Sequence, residues 1–335
     1  MDSNKKIIFI SGASRSGTTM MCHVMDQHSQ IHDINELHVF GDLITAESLN
    51  KALTRSEQSD LAKEILQRDE HGIWAGDSAL TNSSLLQTVL ERLDGDVVTA
   101  ADVFEQAMYA VGESKGKAVV AEQTPRNIFF ADLILKAYPN AYFVHMVRDP
   151  RAVLASQKSK WRLKFLGGDS IPKIEMIRMW INYHPITLSK LWSKANSRAI
   201  MHESHERFNI IKFEKLLEKP EFTLRNLCES MGIDFQAKML DIEHIGSSHQ
   251  HNKSPASGIS NATVDSWKKN LTDAEQLVSE KLCAKTMSHY GYQVSDRASW
   301  PIWGLIVLVL KFPIHVIGVV LFNFKRAFVQ LRSIS

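Results

Sequence analysis

The segment Ile10-Ser11-Gly12-Ala13-Ser14-Arg15-Ser16-Gly17-Thr18-Thr19 constrains this chain more than any other. It ends a β-branched apolar run, Lys5 to Ser11, and opens a stretch, Thr18 to Gln27, with Met and Val at helical spacing. Strand, loop and helix in that order gather successive backbone N–H groups and a helix N-terminus around one point, which makes an anion cradle. Gly12 and Gly17 allow close backbone approach there, and Arg15 supplies a cation.

The rest of the chain fits an α/β protein. Ser56 to Arg68, Ser83 to Leu93 and Ala101 to Gly112 carry apolar residues at three- and four-residue spacing, so the stretch up to about residue 114 reads as helical. Lys117 to Ala121, Ala141 to Val147 and Phe208 to Phe213 are short buried-type runs separated by helical segments, the alternation of a parallel sheet covered on both faces. Ile171 to Glu206 reads as a long helix broken at Pro185, and Ser247 to Gly258 as a polar loop placed to close over a ligand. The division expected is a domain over residues 1–298 and an apolar tail over 299–335. With 39 basic and 37 acidic residues the chain has no general affinity for nucleic acid, so any anion site is local. Cys22, Cys228 and Cys283 lack ligand spacing and read as reduced core thiols; no metal site is expected. The polar N-terminus runs straight into a strand, so no leader is expected and the domain is expected to face the cytosol.

The loop has the spacing of the nucleotide-triphosphatase pattern G-x-x-x-x-G-K-[ST], but Thr18 stands at the lysine position. A second strand-to-helix junction, Arg148-Asp149-Pro150-Arg151, again sets cations at a helix start, a geometry suited to phosphate and equally to an ion-paired cap. Arg-Ser-Gly-Thr-Thr after a buried strand resembles the phosphosulfate loop of the sulfotransferase superfamily, particularly its tyrosylprotein and bacterial members; Ser14 departs from the usual Pro. The run 143–156 resembles that superfamily's 3′-phosphate motif, which assigns Arg148 and Ser156 to the phosphate. Phe213 to Leu217 with Pro220 and Leu224, and Ile259 to Asn270 with Trp267, Lys268 and Lys269, match further segments in order, so the resemblance covers roughly residues 5 to 293. It implies a P-loop-type parallel sheet flanked by helices, 3′-phosphoadenosine 5′-phosphosulfate (PAPS) as co-substrate, and a cofactor site formed by Ser14, Arg15, Ser16, Gly17, Thr18, Thr19, Arg148, Ser156, Trp267 and Lys268. Glu214 and Pro220 read as structural, and Trp267 touches the cofactor or fills core.

Sulfuryl transfer is an in-line displacement in which positioning and positive charge do most of the work, with Arg15, Thr18 and Thr19 placed for it, and a base takes the acceptor's proton. Asn35-Glu36-Leu37-His38 resembles the family segment that carries the base, which makes Glu36 the base and His38 the alternative. In many relatives a Glu-Lys-Thr-Pro segment supplies a lysine to the leaving group; here it reads Glu122-Gln123-Thr124-Pro125, and Arg126 is the candidate replacement. Lys158, Lys160, Trp161, Arg162 and Lys164 form a basic stretch that is either a solvated helix face or the border of a cleft for an anionic or sugar acceptor. A carbohydrate or glycolipid hydroxyl is the preferred acceptor, with a peptide tyrosine or a small alcohol as the alternatives. A P-loop kinase or NTPase, and a non-catalytic membrane adaptor, are the competing readings.

Trp300 to Phe324 is mostly apolar and as one helix would cover about 37 Å, enough to cross a bilayer. Lys311 near its middle and the Lys325-Arg326 pair at its end argue against crossing. A break at Pro313 would give a shallow hairpin inserted from the cytoplasmic face, with Trp300, Trp303, Lys325, Arg326 and Arg332 at the lipid interface; packing on the protein's own core, or in a dimer, is the alternative.

Overall fold

The structure is a computed structural model that describes residues 5–72, 80, 82–160, 173–241, 265–296 and 299–334. Strand β1 (Lys6–Gly12) runs into α1 (Thr18–Asp26); β2 (Ile31–Ile34) leads through a four-residue turn, α2 (Val39–Asp42), to α3 (Arg55–His71), α4 (Ser83–Arg92) and α5 (Ala100–Ser114). β3 (Val119–Glu122), α6 (Ala131–Ala137), β4 (Ala141–Val147) and α7 (Pro150–Lys158) follow. After them come α8 (Lys173–Ile181), α9 (Pro185–Ile200), β5 (Phe208–Lys212), α10 (Phe213–Glu218), α11 (Pro220–Ser230), α12 (Trp267–Asn270), α13 (Asp273–His289) and α14 (Ile302–Ile334). The strands form a parallel sheet in the order β2-β3-β1-β4-β5.

β1 is central, and both its faces are apolar because both are covered. Ile7 and Phe9 enter one core layer and Ile8 and Ile10 the other. Phe9 meets Phe40, Phe104 and Phe143 with ring centroids 5.4–6.0 Å apart, which ties the turn after the second strand to the sheet. Thr54, Thr99 and Thr272 start α3, α5 and α13 with reciprocal capping boxes. The break expected at Pro185 is present: α8 stops at Ile181, and His184 caps the helix that Pro185 begins. The three cysteines are buried and free.

Two expectations fail. Residues 31–34 form an edge strand, although His32 and Asp33 interrupt the apolar pattern that would mark one; its pairing with β3 overrides its weak propensity. The tail does not turn at Pro313. α14 continues through it, since a proline removes one N–H from a helix whose neighbouring turns are apolar and side-anchored. Ile302–Phe322 is long and apolar enough to cross a membrane by length and composition. One stripe of it lies on the domain along that whole length. Gly304 leaves no space for a Cβ beside Ala274, Leu308 O accepts from His184, and His315 bonds Ile181 O at 2.7 Å and the Thr187 hydroxyl at 3.0 Å. Arg178 Nε donates to Phe322 O at 3.0 Å. The opposite side, with Trp303, Leu310, Ile314 and Leu321, is exposed, and Ile174, Ile177 and Trp180 of α8 are exposed as well.

Candidate active site

The C-terminal ends of β1, β2, β3 and β4 deliver the residues singled out in the sequence, as expected for a parallel sheet with ligands beyond its carboxyl edge. At the first loop Gly12 has φ 154° and a Cβ there would sit 2.6 Å from Met146 O; Gly17 has φ 94° and a Cβ would strike the Phe213 ring. Arg15 itself adopts a left-handed conformation, φ 75°, which costs about 1–2 kcal/mol for a residue with a side chain. That strain turns its guanidinium across to α7, where Nε donates to Ser156 Oγ at 3.0 Å.

The second loop answers the first. Arg148 Nη1 donates to Arg15 O at 3.2 Å, and its guanidinium lies 4.3 Å from the Phe213 ring centre. Burial pulls the pKa values of both arginines down. Ser16 Oγ and Arg148 Nε are buried with no hydrogen-bond partner among the described residues, and both point to an oxyanion as their complement. Asp149 takes the cap role: it accepts from the Arg151 amide and pairs with the Arg151 side chain, which also reaches Glu280. Arg151 is therefore committed to structure. Glu214 accepts from the Asp149 amide and the Tyr292 hydroxyl, so it holds this loop.

Across the cleft, the Glu36 carboxylate is half-exposed and meets His38 Nε2 at 3.2 Å, so the two candidate bases form one pair. Gln123, where relatives place lysine, donates from Nε2 to Thr18 Oγ1 at 3.1 Å and to Glu36 Oε1 at 3.0 Å. Its amide bridges the phosphate loop and the carboxylate. Arg126 does not replace the lysine: its guanidinium pairs with Asp42 and donates to His38 O and Phe40 O. Lys158 points away, to Glu275 and Asn270 O. Lys160 belongs to the cleft instead. Burial lowers its pKa first and the field of Arg15 lowers it further, against the pull of Glu36.

The remaining sequence candidates divide. Thr18 is buried while Ser14 and Thr19 are exposed at the loop surface; the Ser14 carbonyl accepts from Gln157. Trp267 is buried beneath α7 with Arg151 4.0 Å from its ring centre, and Lys268 pairs with Asp265. Trp161, Arg162, Lys164, the 247–258 loop and the start of the 259–270 segment lie outside the described residues. Beside Glu36 a cavity of about 560 Å³ is lined by Thr19, Asn35, Asp33, Asp69, Glu70 and Gln123, among others.

A parallel α/β sheet with two cation-bearing strand-to-helix loops and a carboxylate opposite them defines an α/β protein built around an anion-binding cleft. Residues 8–237 match the model of the Sulfotransferase family, and the chain belongs to that family. It is 24% identical over 308 residues to the nodulation protein NoeE of Sinorhizobium fredii, a match covering 86% of this chain and 66% of that protein. It is 24% identical over 242 residues to a protein-tyrosine sulfotransferase of Drosophila melanogaster, covering 71% of this chain and 40% of that one. The chain thus spans less than two-thirds of the length of these relatives. Among solved structures, the sulfotransferase domain of the curacin biosynthetic pathway superposes with a TM-score of 0.52 at 18% identity, over 87% of this chain and 99% of that one, which shows the shared fold.

Proposed function

We propose that this protein transfers the sulfuryl group of PAPS to a carbohydrate or glycolipid hydroxyl at a membrane surface. The observation that carries the reading is the pair of buried arginines on facing loops, Arg15 and Arg148, with the unpartnered Ser16 Oγ and Arg148 Nε beside them. One loop suffices for a 5′-phosphosulfate; the second suits a further phosphate, which PAPS has on its 3′ position and ATP lacks. PAPS brings the activated sulfuryl group. In this chain the residues around Gly12 to Thr19 bind and orient it, Arg148 and Ser156 hold the 3′-phosphate, and Glu36 takes the acceptor's proton with His38 at its side. Thr18 in place of a P-loop lysine argues against a kinase or NTPase.

The cavity next to Glu36 favours a sugar over an anion, because it offers acceptors and donors of both signs, with Asp33, Asp69 and Glu70 set against Lys115, His23 and His32. The exposed apolar side of α14 supports lipid contact. Because its other side is fastened to α8, α9 and α13 from Gly304 to Phe322, the helix fits flat insertion from the cytoplasmic side better than a span. Retention on agarose-linked adenosine 3′,5′-bisphosphate, eluted by free bisphosphate and not by ATP, tests the donor; elution by ATP alone would reject it. Label transferred from radioactive PAPS to the lipid or saccharide fraction of a cell extract tests the acceptor.

A further inference from the structure

Glu122, the last residue of β3, and the two residues that follow it grip the three residues carrying the proposed base pair. Glu122 Oε1 accepts from the Leu37 amide at 3.2 Å; Gln123 donates to Glu36; Thr124 Oγ1 accepts from the His38 amide at 3.2 Å and donates to Glu122. Asn127 Nδ2 donates to Glu122 Oε2 at 2.6 Å from the turn that follows. Glu122 is 2% exposed, and its partners among the described residues are neutral donors. A buried carboxylate without a cation is costly, and an apolar residue would fill the end of this strand more cheaply. What the carboxylate adds is a fixed acceptor for donors of the 36–38 loop, whose His38 sits at φ 50°, a conformation that a side-chain-bearing residue keeps only when held.

We propose that Glu122 is a positioning residue for the transfer reaction: by holding the Leu37 amide directly and the His38 amide through Thr124, it fixes the place from which Glu36 meets the acceptor hydroxyl. The proposal rests on Glu36 being the base. The titratable groups that face Glu122 are Glu36 on the loop and Cys22 on α1. Burial lifts the Glu122 pKa to about 7, the bonds from Thr124, Leu37 and Asn127 oppose the rise, and Glu36 adds to it. Ionised, the carboxylate accepts from all three donors. Protonated, it loses the charge that strengthens these bonds and carries a hydrogen for which the three neutral donors offer no acceptor, so the grip on the loop loosens as pH falls below about 7.

The full chain serves for the test, with PAPS and octyl glucoside as probe acceptor, and water as acceptor when the glucoside is left out. Glu122→Gln keeps the shape but turns a donor toward one of the three existing donors. It should bind adenosine 3′,5′-bisphosphate within about twofold of wild type while kcat falls about 10²-fold, the scale of a misplacement of roughly 1 Å. Wild type should show an acid limb near pH 7 in its kcat profile, and the variant should lack it. Thr124→Val, which keeps the branch and deletes only the hydroxyl, gives a second reading should Glu122→Gln misfold, with the same split between binding and turnover expected. Wild-type kcat and an unchanged acid limb in whichever variant folds would overturn the proposal. Glu36→Gln run alongside separates the two ideas: loss of turnover there with normal turnover in the Glu122 and Thr124 variants sinks only the positioning role, while full turnover in Glu36→Gln sinks the base reading as well.

Discussion

Replacing Arg148 by alanine should separate ligand recognition from folding. The guanidinium donates to Arg15 O at 3.2 Å, lies 4.3 Å from the Phe213 ring centre and keeps Nε buried without a partner among the described residues. In the free protein, alanine removes one hydrogen bond and one cation–π contact, each worth about 1 kcal/mol, and relieves the burial of a cation that already lowers its pKa. These changes oppose one another, so the melting temperature should move by only about 3 °C. With the bisphosphate bound, alanine also removes a charge-assisted contact worth about 1.5–3 kcal/mol, and affinity should fall roughly 10- to 150-fold. Lysine at this position should recover part of the loss, since it restores charge without the planar fork. Titration calorimetry with adenosine 3′,5′-bisphosphate, beside thermal unfolding of the free protein, measures both quantities. Unchanged affinity, or a stability loss as large as the affinity loss, would refute the assignment of Arg148 to a phosphate.

Glu36→Gln should keep bisphosphate affinity and lower turnover about 10²–10⁴-fold, as expected for a positioned base; near-normal turnover in a steady-state assay would transfer the role to His38. Gly17→Ala should destroy bisphosphate binding in the same calorimetric assay, because the new methyl meets Phe213 and the φ of 94° disfavours any side chain. His145 is buried between the Ser11 hydroxyl at 3.0 Å and Asn196 Oδ1 at 3.2 Å, and burial lowers its pKa to about 4. The unfolded chain therefore binds the extra proton first, and urea unfolding should show about 3 kcal/mol more stability lost by wild type than by His145→Gln as pH falls from 6.5 to 4. Deleting residues 299–335 should move the protein from the membrane fraction to the supernatant while sparing bisphosphate binding, and a deletion variant still sedimenting with membranes would reject lipid contact through α14.

The loops that follow β1 and β4 were legible because local chemistry dictates them: glycines at tight approaches and arginines at helix starts announce an anion before any tertiary contact is known. Glu36 was legible only through resemblance, since an exposed glutamate in a polar stretch has no pattern of its own. β2 was hidden because His32 and Asp33 break the apolar alternation, and its strand character comes from pairing with β3. The fates of Arg126 and Lys160 could not be read from composition at all. Both are cations near the right segment, and only the turn of Phe40 and Gly41 against the sheet, which brings Asp42 to Arg126, tells them apart. Pro313 misled for a related reason: a helix breaker judged alone ignores the His315 bonds two residues on that hold the helix to the domain.

β1 pairs with β3 on one side and β4 on the other, with Phe9 opposite both Glu122 and Phe143. The proposed base is anchored to β3 and the arginines proposed to bind phosphate follow β1 and β4, so the reaction distance would be written into two ladders of backbone hydrogen bonds. A slip of one residue in either ladder would reverse every side chain on the strand, and no intermediate spacing exists. Segments outside the ladders and the loops at their carboxyl ends can lengthen, shorten or be exchanged without altering that distance. Acceptor choice can therefore drift in such a protein while the transfer geometry stays where the sheet has quantised it.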